Sequence, residues 1–374
     1  MKVGIDARSA TLHNGSGIGT YTKNLVFNLS HILKKDLNIF WTGNVPKELI
    51  ENNNNIFCCS GKCGGFYEQN FFPNTILENS IDLYHIPQNG IGLPLEWDIN
   101  TVVTIHDLIP YVLPETVGKG YLERFLKDMP YIIEKAKGIL TVSDFSKNDI
   151  LRFFPNCPSE KIFVIPLASN SNFKPLSKDS CKEFIKTHYK IESPFILYLG
   201  GFSSRKNVKK LILAFNKIKK DLNTSHKLVL GGSLKDEGLK LKDLTDLLGL
   251  SNDVIFTGYL DDNILPLFYS ASEAFVYPSI YEGFGLPPLE AMSCKTPVIT
   301  SNCTSIPEVT SDCAILINPN NIDELAYCIK SLLNNDSLKD EYIEKGYERS
   351  LQFSWNNTSN ITLKAYNSIS NLIN

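Results

Sequence analysis

Short apolar runs alternate along this chain with longer stretches in which apolar residues recur at helical spacing. Such alternation is typical of parallel sheets whose strands are joined by covering helices. One series of predicted strands comprises residues 3–5, 83–86, 102–105, 139–142 and 162–165. A second series comprises residues 195–199, 228–230, 254–256, 274–277, 298–300 and 314–317. The pattern therefore predicts an α/β protein with two doubly wound parallel sheets.

The segment between the two series, residues 168–194, is polar and is interrupted by Pro175 and Pro194. It predicts a hinge with a modest helix at residues 181–189. We therefore place one domain at residues 1–170 and the other at residues 171–354. After the last strand, helices are predicted at residues 322–333, 338–351 and 355–373.

Composition narrows the classes of partner. The chain has 374 residues and a net charge of −3, with both signs interspersed, which argues against a broad nucleic-acid-binding surface. The first residues predict a strand rather than a leader, and no apolar run approaches the ~20 residues of a membrane span. We expect a cytoplasmic protein that meets a membrane, if at all, from its inner face.

The cysteines indicate a reducing compartment, because there are nine of them, scattered along the chain. Their one cluster is Cys58, Cys59 and Cys63, which lacks a fourth nearby ligand for zinc. We interpret these three as free thiols on a variable loop and expect no metal site.

The most informative segment begins at Glu282 and ends at Glu290, with a glycine-bearing loop and a double proline between the two carboxylates. Glycines allow main-chain amides to approach an oxygen-rich ligand, and the first turn of a helix attracts phosphate. Glu282 would lie on the loop and Glu290 about one turn into the helix. Because carboxylates accept hydrogen bonds from hydroxyl groups, Glu282 suits a hexose and Glu290 a ribose. The alternative is an ordinary strand-turn-helix corner with two solvated glutamates.

Three other segments stand at predicted strand ends. Residues 14–21 form a glycine-rich loop before a helix that should run to about Leu33; it lacks the acidic partner of a dinucleotide-binding fingerprint. It is either a flexible turn or a loop over a reacting sugar or acceptor.

His106 is either a residue of the ligand cleft, which we favour, or a core residue bonded to its neighbour Asp107. His85 has a weaker case, as a packing residue or part of an acceptor site.

The second domain opens with a small-residue loop, residues 200–204, followed by Arg205 and Lys206. Cations at this place can neutralise a diphosphate leaving group, whose charge grows as the glycosidic bond breaks. The alternative is a solvated basic helix start.

Together these segments resemble the retaining glycosyltransferases of family 4, which have the GT-B fold of two Rossmann-like domains facing across a cleft. The resemblance covers the loop at residues 15–21, the pair His106 and Asp107, and the segments 141–146, 200–207, 257–259, 282–290 and 305–308. The spelling of residues 205–207 and 281–290 is similar to that of members that build cell-surface polysaccharide, often with mannose. Gly201 departs from the pattern, since many relatives have an arginine there, and this leaves open which of Arg205 and Lys206 is the main phosphate contact.

The resemblance implies that His106, Glu282, Arg205 and Lys206 are the catalytic residues. It implies donor binding by Gly17, Gly19, Gly201, Tyr259, Gly283, Phe284, Gly285, Leu286 and Glu290. It also implies that the last helix, within residues 355–374, returns to the first domain. The first domain would bind the acceptor and the second the nucleotide-sugar, for which GDP-mannose is favoured. No cofactor is expected beyond this substrate.

The expected reaction is hexose transfer to a hydroxyl of a glycan or lipid-linked acceptor, with retention and without a required divalent ion. Two rivals stay open: a nucleotide-sugar epimerase of the same fold, and a non-catalytic protein that binds nucleotide-sugar or glycan. The acceptor is undetermined, because Phe66, Tyr67, Phe71 and Phe72 could face a ligand or pack internally. An NAD-dependent dehydrogenase is disfavoured by the missing acidic residue.

Overall fold

The computed structural model describes residues 1–52, 54–60, 64–94 and 96–373. The chain divides into two compact units. The first consists of Met1–Leu167 with Ser354–Asn374, and the second of Ala168–Phe353.

Each unit is built on one parallel sheet. The first sheet has the order β3-β2-β1-β4-β5-β6-β7 and the second the order β10-β9-β8-β11-β12-β13. The strands are β1 Val3–Asp6, β2 Leu37–Thr42, β3 Asn55–Cys59, β4 Leu83–Ile86, β5 Thr101–Ile105, β6 Gly138–Thr141, β7 Ile162–Val164, β8 Phe195–Leu199, β9 Lys227–Gly231, β10 Val254–Gly258, β11 Ala274–Tyr277, β12 Val298–Ser301 and β13 Ile315–Ile317.

Helices cover both sheets. They are α1 Ser9–Leu12, α2 Gly17–Leu33, α3 Lys47–Glu51, α4 Gly64–Phe66, α5 Phe72–Glu78, α6 Ile109–Val112, α7 Lys119–Lys135, α8 Asp144–Phe153, α9 Lys178–Tyr189, α10 Val208–Ile218, α11 Asp236–Leu247, α12 Leu265–Ala271, α13 Leu286–Ser293, α14 Ile306–Thr310, α15 Ile322–Leu333, α16 Asp336–Ser350 and α17 Trp355–Ile373. Single turns of 3₁₀-helix and a π-helical turn, Tyr67–Phe71, complete the pattern.

The prediction of two doubly wound parallel sheets is confirmed. Every predicted strand is present, and the central strands β1, β4, β5, β8 and β11 are buried along their whole length. Strands covered by helices on both faces have continuous apolar sequences, which is why the short runs located them.

The interpretation of the cysteine cluster as a loop is wrong for two of its members. Cys58 and Cys59 lie in β3, which pairs with β2 at the edge of the first sheet. Cys63 lies outside the described residues. As an edge strand β3 is only partly buried, and its short, mixed sequence did not stand out from the asparagine-rich segment before it.

The last helix, α17, packs within the first unit. Ile369 lies against Gly138 at the start of β6, where an added Cβ would stand 2.2 Å from the isoleucine side chain. Thr358 donates a hydrogen bond to the Pro166 carbonyl (2.7 Å), and the Tyr366 hydroxyl pairs with the ring of His85 (2.7 Å).

Candidate functional site

The segment with the two glutamates forms a tight corner between β11 and α13. Glu282 lies on the loop and Glu290 one turn into the helix, the positions the sequence predicts. Gly285 has φ 123°, a conformation that favours glycine. The Ser305 hydroxyl bonds with the carbonyl oxygens of Glu282 and Phe284 (2.8 Å each), which fixes the shape of the loop.

The beginning of α13 has main-chain N–H groups that can donate hydrogen bonds. Pro287 and Pro288 have no N–H, so the remaining donors lie at the very beginning of the helix. In the part of the chain that the structure describes, no protein acceptor takes the amides of Phe284, Gly285 and Leu286. Three adjacent donors at the positive end of a helix dipole can bind an anion.

Glu282 is the centre of a compact ionic cluster. Its Oε1 accepts hydrogen bonds from Arg205 Nη1 (3.0 Å), Lys206 Nζ (2.6 Å), the Ser279 hydroxyl (2.5 Å) and the Tyr277 hydroxyl (3.0 Å). The side chains of Glu282 and Lys206 are each 12% exposed, and that of Arg205 is 19% exposed. Burial alone would raise the pKa of Glu282, but Lys206 and Arg205 with these bonds lower it to about 2. The cluster has one net positive charge at neutral pH.

The structure therefore brings together three residues that the sequence had placed at two distant strand ends. The loop after β8 supplies Arg205 and Lys206, and the loop after β11 supplies Glu282. Since β8 and β11 are parallel neighbours, their carboxyl ends meet at one edge of the sheet. Both cations bond with the carboxylate, so the structure does not distinguish which of them is the main phosphate contact.

Glu290 has a different environment. Its Oε2 accepts a bond from the Tyr269 hydroxyl (3.0 Å). Burial raises the pKa of Glu290 to about 7; the Tyr269 bond opposes this shift, and Asp262 adds to it. The carboxyl group is thus close to half protonated at neutral pH.

Two more predicted positions lie at the same edge of the second sheet. An added Cβ on Gly201 would meet nothing within 4 Å, so no close packing requires a glycine there. The Tyr198 hydroxyl bonds with the Gly201 carbonyl (2.6 Å) and holds this loop. Tyr259 follows β10 and is 61% exposed.

In the first unit, His106 is buried at the end of β5, with 8% exposure. Its Nε2 lies 2.8 Å from the Pro87 carbonyl, which can only accept, so Nε2 carries the hydrogen. Burial lowers the pKa of His106 to about 4, which makes the ring neutral at pH 7. Its place in a ligand cleft stays a prediction.

His85 is a core residue. It is fully buried, and its two ring nitrogens pair with Thr104 Oγ1 and the Tyr366 hydroxyl, each at 2.7 Å. The packing alternative accounts for it.

The glycine-rich segment leads into α2, but the helix already begins at Gly17, so both candidate glycines lie in its first turn rather than in a loop before it. The two glycines also differ from each other. Ser16 caps the helix by accepting from the Gly19 amide (3.1 Å). An added Cβ on Gly19 would stand 2.1 Å from the His13 carbonyl oxygen, whereas one on Gly17 would meet nothing within 4 Å. Gly19 therefore has a packing role that requires no ligand.

The four aromatic residues weighed for the acceptor also differ. Phe66 is 58% exposed and Phe72 is fully buried, while Tyr67 and Phe71 are partly buried. Phe72 packs in the core, beneath the Arg8 guanidinium (4.7 Å to the ring centroid).

Sequence reasoning missed two sets of polar residues. Tyr277 and Ser279, which bond with Glu282, stood within a predicted strand and turn. In the first unit, Asp6 accepts both Arg8 Nε (2.8 Å) and Arg8 Nη2 (2.7 Å), and Gln88 Nε2 (2.6 Å). The available signal was an acid and a base two positions apart at the end of β1.

The described residues were compared with the requirements of a metal site and of a membrane-spanning helix. They contain no group of three or more His, Cys, Asp or Glu side chains placed to hold a metal ion. None of their helices combines the length and the apolar character needed to cross a bilayer.

Comparison with known proteins agrees with this architecture. Residues 182–349 match the family described as glycosyl transferases group 1. The O-antigen chain mannosyltransferase B of Escherichia coli is 35% identical over 284 residues, which are 76% of this chain and 74% of the relative. The serotype-specific mannosyltransferase WbdA of Escherichia coli is 30% identical over 71% of this chain, which spans 33% of WbdA.

Among solved structures, Anabaena HepE in complex with UDP and glucose superposes with a TM-score of 0.76, covering 98% of this chain and 100% of that one. Its sequence is 16% identical, so the likeness concerns the fold. From the family match and the extent of the first relative, the chain belongs to the glycosyl transferases group 1 family, and its two parallel-sheet α/β domains have the GT-B fold.

Proposed function

We propose that this glycosyltransferase transfers a hexose from a nucleoside diphosphate sugar to a hydroxyl of a glycan or lipid-linked acceptor. Mannose is the favoured hexose, and the transfer retains the anomeric configuration. The reaction belongs to cell-surface polysaccharide synthesis. The observation that carries the proposal is the cluster of Glu282, Arg205 and Lys206, with the amides of residues 284–286 at the start of α13 following Glu282 in the chain. The mannosyltransferase names of the relatives support the donor sugar and the pathway class. The proposed place of action is the cytoplasm, at the inner face of the membrane.

In this proposal the second domain holds the donor. Glu282 accepts hydroxyl groups of the hexose, and the amides of residues 283–286 with Arg205 and Lys206 hold the diphosphate. The net positive charge of the cluster matches a leaving group whose negative charge grows during the reaction. Glu290 accepts the ribose hydroxyl groups, with Tyr259 and Gly201 lining the same edge.

The proposed chemistry is a front-face substitution. The bond from the anomeric carbon to the phosphate oxygen breaks with its electron pair leaving on the diphosphate. The acceptor oxygen bonds to the same face, and its proton passes to the departing phosphate oxygen. Glu282 is a poor nucleophile or base, since a carboxylate with four donors on one oxygen and a pKa of about 2 is strongly stabilised. Orientation and charge stabilisation are therefore the protein's main contributions.

Product analysis tests the proposal. The full chain is incubated with GDP-, UDP- and ADP-hexoses, with and without an oligosaccharide or lipid-linked glycan acceptor, after a thermal-shift panel has selected the nucleotide. The expected result is sugar transfer with retained anomeric configuration, which NMR of the product determines. Isomerised sugar formed without acceptor would favour the epimerase, and binding without any turnover would favour the non-catalytic protein.

We expect activity to persist in excess chelator, because Arg205 and Lys206 supply the positive charge that a divalent ion would otherwise provide. Initial rates with and without EDTA measure this. Complete loss that magnesium or manganese restores would contradict the metal-independent mechanism.

The KM for the donor is expected to fall as pH rises through about 7. Above the pKa of Glu290 the carboxylate has two accepting oxygens for the ribose, whereas the protonated form must donate from one of them. Glu290→Gln should flatten this dependence. The measurement is donor KM from pH 5.5 to 8.5 for both proteins, and parallel profiles would argue against ribose binding by Glu290.

A further inference from the structure

Tyr277, the last residue of β11, lies beneath the ionic cluster. It is fully buried. Its ring stacks against Tyr198 (5.9 Å between centroids, 15° between planes) and against Phe275 (5.8 Å, 19°). A fully buried ring with two stacked neighbours has little freedom to turn, so its packing fixes the direction of its hydroxyl.

The hydroxyl of Tyr277 joins two members of the cluster. It accepts a short hydrogen bond from Lys206 Nζ and donates one to Glu282 Oε1 (3.0 Å). The Lys206 ammonium also lies 5.0 Å from the centroid of the same ring. Tyr277 thereby directs a cation and a carboxylate that come from different loops.

The bonds of Glu282 are unevenly divided between its two oxygens. Arg205, Lys206, Tyr277 and Ser279 all donate to Oε1. Within the described residues, no hydrogen bond from the protein to Oε2 accompanies them. A carboxylate anchored through one oxygen presents the other to a ligand in a fixed direction.

We infer that Tyr277 is a positioning residue for sugar transfer: its hydroxyl anchors Glu282 Oε1 and Lys206 Nζ so that Glu282 Oε2 is left to accept a hydroxyl of the donor hexose. This inference rests on the proposed function. Tyr277 is buried beneath the cluster and acts through Glu282 and Lys206. Misdirection of either group weakens contacts needed most as the glycosidic bond breaks.

The test compares Tyr277→Phe with a matched loss of a buried hydroxyl, Thr300→Val. Thr300 lies in the neighbouring β12, is fully buried, and donates to the Tyr277 carbonyl (2.8 Å) without contacting the cluster. We expect Tyr277→Phe to lower kcat about 10- to 100-fold, because a hydrogen bond to a charged group is lost. The donor KM should change by less than about threefold. Thr300→Val should keep kcat near the wild-type value. It should lower the melting temperature at least as much as Tyr277→Phe does.

A double-mutant cycle separates positioning from a general structural role. If Tyr277 acts through Glu282, adding Tyr277→Phe to Glu282→Gln should lower kcat by much less than it does in the wild-type background. Ser279→Ala serves as a second variant if Tyr277→Phe folds poorly, since it removes another donor to Oε1 and should lower kcat in the same way.

The possible failures are distinguishable. A wild-type enzyme that transfers no sugar refutes the proposed function itself. An active wild type with unchanged kcat in Tyr277→Phe, an equal loss in Thr300→Val, or fully multiplicative losses in the double mutant each overturn the positioning role alone.

Discussion

Replacing Glu282 with glutamine is expected to lower kcat about 100- to 1000-fold, the range found when an electrostatic contact to a transition state is removed. The carboxylate is the counter-ion of both Arg205 and Lys206. An amide in its place removes the negative charge and can turn an N–H₂ group towards those donors. The cations would then lose their direction towards the diphosphate, and the sugar would lose an acceptor.

The same substitution also removes a contribution to stability. The pKa of Glu282 falls from its ordinary value of 4.5 to about 2 in the folded protein. A lowered pKa means stability that is present above about pH 4.5 and is lost as pH falls towards 2. Its size is at most about 3.5 kcal/mol at ~1.4 kcal/mol per pKa unit. Lost activity must therefore be separated from lost stability.

Glu273→Gln is the matched control. Glu273 immediately precedes β11, at the opposite end from Glu282, and pairs with Lys178 (3.0 Å), Lys182 (3.0 Å) and Lys339 (3.4 Å). Burial would raise the pKa of Glu273, but Lys178 and Lys182 lower it to about 2, as for Glu282. We expect both variants to lower the melting temperature similarly, while only Glu282→Gln reduces kcat. Equal kcat in the two variants would remove Glu282 from the mechanism.

The comparison of Glu282 with Glu273 also shows what sequence can predict. The corner from residue 282 to 290 is local, so glycines, prolines and spacing located both glutamates on the correct elements. The charged partners of Glu282, Arg205 and Lys206, lie 77 and 76 positions away. They became predictable only through the strand rhythm, which puts the ends of β8 and β11 at one sheet edge. The sequence around Glu273 does not predict its three lysine partners, which come from α9 and α16.

Other features depend on distances that no local pattern encodes. Tyr277 appeared as one more apolar strand residue, because whether its hydroxyl reaches Lys206 depends on the path of another loop. The setting of His106 depends on the Pro87 carbonyl after β4. β3 went unrecognised because an edge strand needs less apolar sequence than a central one.

Gly19→Ala should destabilise the first unit strongly. An added Cβ would stand 2.1 Å from the His13 carbonyl oxygen and 2.7 Å from its carbonyl carbon, well inside van der Waals contact. Those atoms belong to the main chain, which cannot turn aside as a flexible side chain can. The first turn of α2 must separate from the segment after α1, at a cost of about 1–3 kcal/mol or more.

Gly17→Ala supplies the control on the same helical turn. An added Cβ there meets nothing within 4 Å, so only backbone preference applies, and alanine in place of glycine stabilises a helix by up to about 1 kcal/mol. We therefore expect opposite shifts in melting temperature for the two variants, measured by calorimetry on the full chain. If Gly19 binds the donor and is not needed for packing against His13, Gly19→Ala will keep the wild-type melting temperature and raise the donor KM. A lowered melting temperature with loss of the first unit's amide protection would instead assign the glycine to the contact with His13.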